Sequence, residues 1–150
     1  MIHRATRRVP GRFTFAVVLA MIALATGACN VFGNGLTGPT WQLTAVNEQV
    51  PAVQQVIAPA DIGRYTIVFG NDGTAQIKAD CNQVTATYTT SPGGSLTIAP
   101  GASTLAACPD DSLGSQFVAA LSLATSYNVH GSSLTMSVGN GGSIEFLAKG

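Results

Sequence analysis

Three cysteines (Cys29, Cys81 and Cys108), His130 and the adjacent pair Asp110 and Asp111 are the residues of this chain best suited to chemistry. Cys81 and Cys108, with Asp80 and His130, could ligate a metal, or the two thiols could form a disulfide. Known zinc sites hold their ligands in close pairs such as C-x-x-C or H-x-x-x-H, and neither spacing occurs here. No metal or other cofactor is therefore expected. A Ser-His-Asp hydrolase would have to use His130, which stands beside Gly131 at an expected turn, and no G-x-S-x-G is present. Asp110 and Asp111 could share acid–base work, but adjacent carboxylates at a helix start ordinarily serve as caps. There is no G-x-x-x-x-G-K-[ST] loop and no G-x-G-x-x-G that opens a helix. With no base–nucleophile pair to assemble, the chain reads as non-catalytic.

The N-terminal segment gives these residues an address. Arg4, Arg7, Arg8 and Arg12 precede an apolar run, Phe13 to Ala25, and small residues then lead to Cys29. That order is the layout of a secretory signal. A bilayer span needs about 20 apolar residues, more than this run supplies. With Thr14 as its single polar residue, the run also lacks the polar face of a core helix. Leu24-Ala25-Thr26-Gly27-Ala28-Cys29 resembles the lipobox of bacterial lipoproteins. Residues 1–28 are thus expected to be an export signal and Cys29 the lipidated first residue of the mature chain. Cleavage without lipid and a retained anchor are the rival outcomes. Using Cys29 for lipid leaves Cys81 and Cys108 as an even pair, which in an oxidising compartment reads as a disulfide. It would close a loop of roughly 27 residues, worth about 3–4 kcal/mol in the chain-entropy model.

Loss of the signal removes four arginines. Arg64, Lys78 and Lys149 then face seven acids, a net charge of −4. Such a domain carries no electrostatic footprint for nucleic acid. It has no basic patch for anionic lipid either, so membrane contact must come through the acyl chains on Cys29.

Residues 29–38 form a polar, Gly-rich tether, and Cys29 to Trp41 spans at most about 40 Å. Residues 39–150 are one domain's worth of chain. Trp41 to Val46 alternates as a half-buried strand, and Asn47 to Gly63 reads as a long connection containing Pro51 and Pro59. Tyr65 to Phe69 and Thr74 to Asp80 form a hairpin around Asn71-Asp72-Gly73, with Ala75, Ile77 and Ala79 on one face. Thr85 to Thr90 and Ser95 to Ile98 flank the turn Ser91 to Gly94. A helix is expected from about Asp111 to Thr125, with Asp110 and Asp111 at its positive end and Leu113, Phe117, Ala120, Leu121 and Ala124 on one face. Ser126 to His130, Leu134 to Val138 and Ser143 to Leu147 complete the chain. Strands, a helix, then strands imply an α+β fold with a mostly antiparallel sheet.

Read in order, these segments resemble the META domain family, the fold of HslJ-type bacterial heat-shock lipoproteins. Leu36-Thr37-Gly38-Pro39-Thr40-Trp41-Gln42-Leu43 matches its opening L-x-G-x-x-W-x-L, and Tyr65 to Gly73 its F-x-x-x-G strand. Cys81-Asn82 with Tyr88 matches C-N-x-x-x-x-x-Y, and Ser103-Thr104, Ala107-Cys108 and Pro109 match S-T-x-x-A-C-P. Phe117, Leu121, Tyr127, Gly131 and Leu134 follow the next pattern, and Gly142, Ile144 and Phe146 the last strand. Asp80 and Ala86 stand where the family often has glycine; a positive φ at the first position would have to be tolerated by Asp80 or the bend shifted. The resemblance implies a partly barrel-like domain with one packed helix. It also implies a link to envelope stress and secretion and no agreed enzymatic activity. Cys81 and Cys108 would bridge, Asn82 would bond backbone in a bend, and Trp41 and Tyr88 would fill core.

Two roles fit: an envelope module that binds protein partners, or a carrier of a small hydrophobic ligand or lipid between sheet and helix. Either would act in the periplasm or at the cell surface. Cys29→Ser is expected to move the protein from the membrane fraction to the soluble fraction; a variant still extracted only by detergent would refute lipidation at Cys29.

Overall fold

The computed structural model describes residues 35–49, 52–139 and 141–150. The expected export signal (residues 1–28), Cys29 and the first part of the expected tether, through residue 34, lie outside the described residues. Alternation of apolar and polar side chains along the chain generates most of the architecture. Nine strands are formed among the described residues: β1 (Thr40–Gln49), β2 (Ala52–Val56), β3 (Tyr65–Phe69), β4 (Thr74–Ala79), β5 (Asn82–Ser91), β6 (Ser95–Ser103), β7 (Ala124–His130), β8 (Ser133–Val138) and β9 (Ser143–Ala148). One helix, α1 (Gly114–Ser122), lies between β6 and β7.

The strands pair antiparallel in the order β1-β3-β4-β5-β6-β7-β8-β9, and β9 pairs back onto β1. Eight strands thus close into a barrel with one packed helix, in keeping with the expected α+β, partly barrel-like fold. Closure rests on β1. Thr40 to Gln42 pair with β3 on one edge, and Trp41 to Asn47 pair with β9 on the other. The C-terminal half of β1 is freed from β3 and pairs with β2 instead, from Ala45↔Val56 to Gln49↔Ala52. Inward positions alternate strictly: Tyr65, Ile67 and Phe69 on β3, Ala75, Ile77 and Ala79 on β4, Leu134, Met136 and Val138 on β8 are all buried. The interior is filled by these side chains with Trp41, Leu96, Ile98, Leu121 and Phe146. The outward positions between them are mostly Thr, Ser and Gln.

Three expectations are corrected. The connection from Asn47 to Gly63 contains β2 and a 3-10 turn, Ile62–Arg64. β6 does not stop at Ile98 but continues through Pro100 and Gly101 to Ser103. Proline is tolerated there because β6 registers with β7 at one pair only, Ser95↔Ser126, so its far half is an edge. The helix is shorter than expected. It begins at Gly114 with Leu113 at its N-cap, has no acid in its first turn, and ends at Ser122; Ala124 already belongs to β7. Asp110 and Asp111 are therefore not its caps.

The two mouths of the barrel are closed differently. At the end where the described chain enters, Leu36 is buried, its carbonyl accepts Trp41 Nε1–H at 2.8 Å, and Thr37 bridges Phe69. At the opposite end α1 lies across the opening and inserts Phe117, Ala120 and Leu121. Phe117 meets the Tyr65 ring edge-on at 5.9 Å and the Phe146 ring at 6.1 Å. The helix starts so close to β4 that a Cβ at position 114 would lie 2.8 Å from the Ala79 carbonyl oxygen, so glycine is required. Among the described residues no helix is long and apolar enough to cross a membrane.

Because Phe117 is 1% exposed, Phe117→Ala is expected to destabilise the domain by about 3–5 kcal/mol in urea unfolding. A loss under about 1 kcal/mol would show that α1 does not plug the barrel.

Candidate functional site: the helix end of the barrel

Where β6 leaves β7, the chain must return from the end of β6 to the start of α1. It does so along residues 104–113, and this loop is tied down at three places. The first tie is covalent: Cys81, in the turn between β4 and β5, is bonded to Cys108, with Cα atoms 5.6 Å apart. The second is Asn82. Its side-chain amide pairs with Ala106 as a neighbouring strand would, Oδ1 accepting the Ala106 N–H at 2.8 Å and Nδ2 donating to the Ala106 carbonyl at 3.1 Å. The Thr104 hydroxyl donates to Asn82 Oδ1 at 3.0 Å and accepts the Gln83 N–H at 2.9 Å. The third tie is polar and centred on Arg64.

Arg64 ends the 3-10 turn and holds Asp80 in a two-pronged ion pair, Nε to Oδ1 at 2.9 Å and Nη2 to Oδ2 at 2.7 Å. Its Nη1 reaches Asp61 at 3.2 Å and Asp111 at 3.4 Å. One guanidinium thus connects the approach to β3, the β4–β5 turn and the loop before α1. The same carboxylates hold the Arg64 pKa well above its ordinary value, Asp80 contributing most. In return Arg64, then the Ser112 hydroxyl and Lys78, hold the Asp80 carboxyl below the usual aspartate range against the opposing effect of burial. Beside this cluster the Tyr65 hydroxyl accepts the Leu113 N–H at 2.9 Å. Asp80 has φ +63°, the single non-glycine residue at positive φ among the described residues.

These ties frame a groove of about 560 Å³. One wall is α1, through Ser115, Val118 and Ala119; the other is Val84, Pro100 and Gly101 of β5 and β6, with Leu105 and Ala106 of the tied loop at the rim. No charged side chain lines it. Leu105 is 96% exposed, the most exposed large apolar residue described. A smaller pocket of about 220 Å³ lies on the other flank of α1, between Leu43, Val46 and Phe117.

The META domain family model matches residues 34–150. The chain belongs to the META domain family. Solved structures agree at the level of fold. A protein from Burkholderia xenovorans, solved by NMR, is 20% identical with a TM-score of 0.61, covering 76% of this chain and 83% of that one. A DUF4847 family protein from Bacteroides vulgatus is 16% identical with a TM-score of 0.54, covering 75% of this chain and 93% of that one. No curated protein matches the sequence.

Within this META domain the residues singled out from the sequence divide into groups. Cys81, Asn82, Thr104 and Cys108 are brought together as the loop tie, with exposed Pro109 following the disulfide. Phe117 plugs the helix end. Trp41, Tyr88 and Tyr127 lie towards the entry end. Tyr88 meets Phe69 edge-on at 4.8 Å and donates to the Gly70 carbonyl at 2.6 Å; burial raises its pKa, with Asp72 and Tyr127 adding to the effect. Tyr127 is half-buried, and its N–H donates to the Gly94 carbonyl at 2.8 Å. The rival metal set is not assembled: both thiols are used in the disulfide, and His130 is exposed at the entry end of β7, across the barrel from Asp80. Sequence reasoning missed Arg64 as a centre and placed Asp111 in a cap. The available signal was that Arg64 is one of three Lys or Arg residues among the described residues, against seven acids.

The ion pair predicts a pH dependence with a definite sign. A carboxyl whose pKa is lowered by folding stabilises the fold above its unfolded value, and this stabilisation is lost as pH falls through the folded value. Asn accepts the left-handed conformation, so Asp80→Asn removes the charge without adding backbone strain. The unsubstituted protein is expected to be the more stable at neutral pH in urea titrations, with the difference closing as pH drops below about 4. A difference that stays constant to about pH 2 would show that the pair contributes nothing through ionisation.

Proposed function

We propose that this META domain is a non-catalytic binding module of the bacterial envelope, tethered to a membrane by lipid on Cys29 and acting in the periplasm or at the cell surface. The observation that carries the reading is the contrast between a filled barrel and an open, uncharged groove beside α1. Trp41, Ile67, Phe69, Ile77 and Phe146 are each no more than 1% exposed, which leaves the interior no room for a guest. The groove is open to solvent, ends in a fully exposed leucine and is framed by a disulfide and an ion-pair hub that fix its walls before any partner arrives. An exposed apolar surface of this kind marks an interaction site. The lipobox-like sequence before Cys29 supports tethering, and a short tether raises the local concentration of the domain near other envelope components.

The alternative, carriage of a small hydrophobic ligand between sheet and helix, draws on the pocket between Leu43, Val46 and Phe117. That pocket, at about 220 Å³, is below the range of roughly 300–1,000 Å³ typical of ligand sites; the groove of about 560 Å³ is within it, but its exposed Leu105 rim favours a partner's surface over an enclosed guest.

A photo-crosslinking residue placed at Leu105 in intact cells is expected to capture envelope proteins. The same residue at Asn71, on the opposite end of the barrel, should not, and capture should fall when Cys29 is replaced by serine. Equal capture from both positions, or none from Leu105, would refute the reading.

A further inference from the structure

We infer that the helix end of the barrel receives an extended segment of an exported polypeptide in which an apolar side chain is flanked by lysine or arginine. The apolar group enters the groove beside α1, and the cations lie against Asp110 and Asp111. This rests on the binding-module reading and adds the chemistry of the partner.

Charge distribution points to a cationic partner. Around the helix end stand Glu48, Asp61, Asp80, Asp110 and Asp111, against Arg64 and Lys78, a net −3 among the described residues. Both cations are already engaged, Arg64 by Asp61, Asp80 and Asp111, and Lys78 by the Gly63 carbonyl at 2.9 Å. Asp110 is exposed and makes no ion pair among the described residues, and the Asp111 side chain is 72% exposed. Both lie on the turn between Cys108 and Ser112, two residues that line the groove, with Asp111 on the flank that faces Arg64. At the entry end Asp72 is balanced by Lys149, and the remaining acid, Glu145, lies midway along β9 opposite Thr135. The field is thus one-sided, and complementary charge on a partner would both steer it and set its register.

The same charge weighs against two other occupants, a membrane surface and a second copy. Gly35, the first described residue, lies beside Val129 at the entry end. A lipid on Cys29, six residues earlier, would keep that end within about 20 Å of the bilayer. The negative field around the groove also repels anionic phospholipid. A second copy of this chain presents the same net negative end, so like charges oppose pairing through it. An uncharged groove within an acidic surround fits a cationic, partly apolar segment.

The test uses the full lipidated chain in detergent and three labelled nonapeptides: alternating Leu/Lys, alternating Leu/Glu and alternating Ser/Lys. Fluorescence anisotropy is expected to show the Leu/Lys peptide binding at least about tenfold more tightly than either other, and weakening as salt is raised. Ala119→Arg, which fills the groove from an exposed helix position, and Asp110→Lys should each reduce binding of the Leu/Lys peptide about fivefold or more. Equal binding of the Leu/Glu peptide, or Leu/Lys binding unchanged in both variants, would overturn the inference. So would self-association that is lost in Ala119→Arg. Specific capture of envelope proteins at Leu105 with no preference among the peptides would overturn this inference while leaving the binding-module reading intact.

Discussion

The pairing of β6 with β7 at one residue pair, Ser95 with Ser126, is the constraint on which the rest of the structure depends. A closed barrel normally satisfies every strand edge along its length. Here the far half of β6 diverges from β7, leaving a seam that opens towards one mouth. An opening of this kind exposes Ile98 and its neighbours in the core to water unless something covers it. The chain covers it with α1, which in sequence falls between the two strands that part. Burying Phe117 and Leu121 there is the reason a nine-residue helix, too short to be stable alone, forms at all.

The position of the helix is then fixed from outside the core. A plug held by apolar contact alone can slide, because hydrophobic burial has no direction. Directional ties supply what it lacks. The Cys81–Cys108 bond and the Asn82–Ala106 amide pairing hold the loop, and Arg64 fixes the loop's last residues through Asp111 while Tyr65 fixes Leu113. Two of these ties originate at consecutive residues, Cys81 and Asn82, and Asp80 beside them orients Arg64, so the β4–β5 turn acts as the anchor for the whole helix end. The groove is the space left between a helix placed by these ties and the splayed end of β6.

This division between core and ties also decides how much of the molecule was legible in its sequence. Strands whose side chains alternate against one filled interior, such as Tyr65 to Phe69 and Thr74 to Ala79, were readable because the period of two records burial directly. The cysteine pair was readable from the arithmetic of three thiols, and Phe117 and Leu121 from their helical spacing. β2 was not, because Ala52-Val53-Gln54-Gln55-Val56 does not alternate and pairs only with the overhang of β1. β6 was cut short at a proline that an unpaired edge accommodates. The start of α1 was misplaced because Asp111 has two possible partners, a helix N-terminus and a distant arginine, and only the fold brings Arg64 within reach. The groove was invisible for the same reason: Val84, Pro100, Leu105 and Val118 come from four separate segments with no shared pattern.

Asp80 shows how conformation and chemistry are joined at this anchor. The resemblance to the family leads one to expect glycine before the cysteine, and the backbone there does take a positive φ. Glycine would meet that demand at no steric cost, whereas aspartate, though better than most residues in the left-handed region, does not. Yet glycine could not hold Arg64. Without Asp80, the guanidinium would keep only single contacts to Asp61 and Asp111, the latter long and largely exposed, and exposed single ion pairs add little. The two-pronged bond to Asp80 is the shortest and least exposed of the three and the one that orients the fork. Its cost in backbone freedom is confined to one turn, while its benefit reaches three elements. In this chain a turn that need only bend has thus become the point from which the helix, its loop and the acidic face beside the groove are held in place.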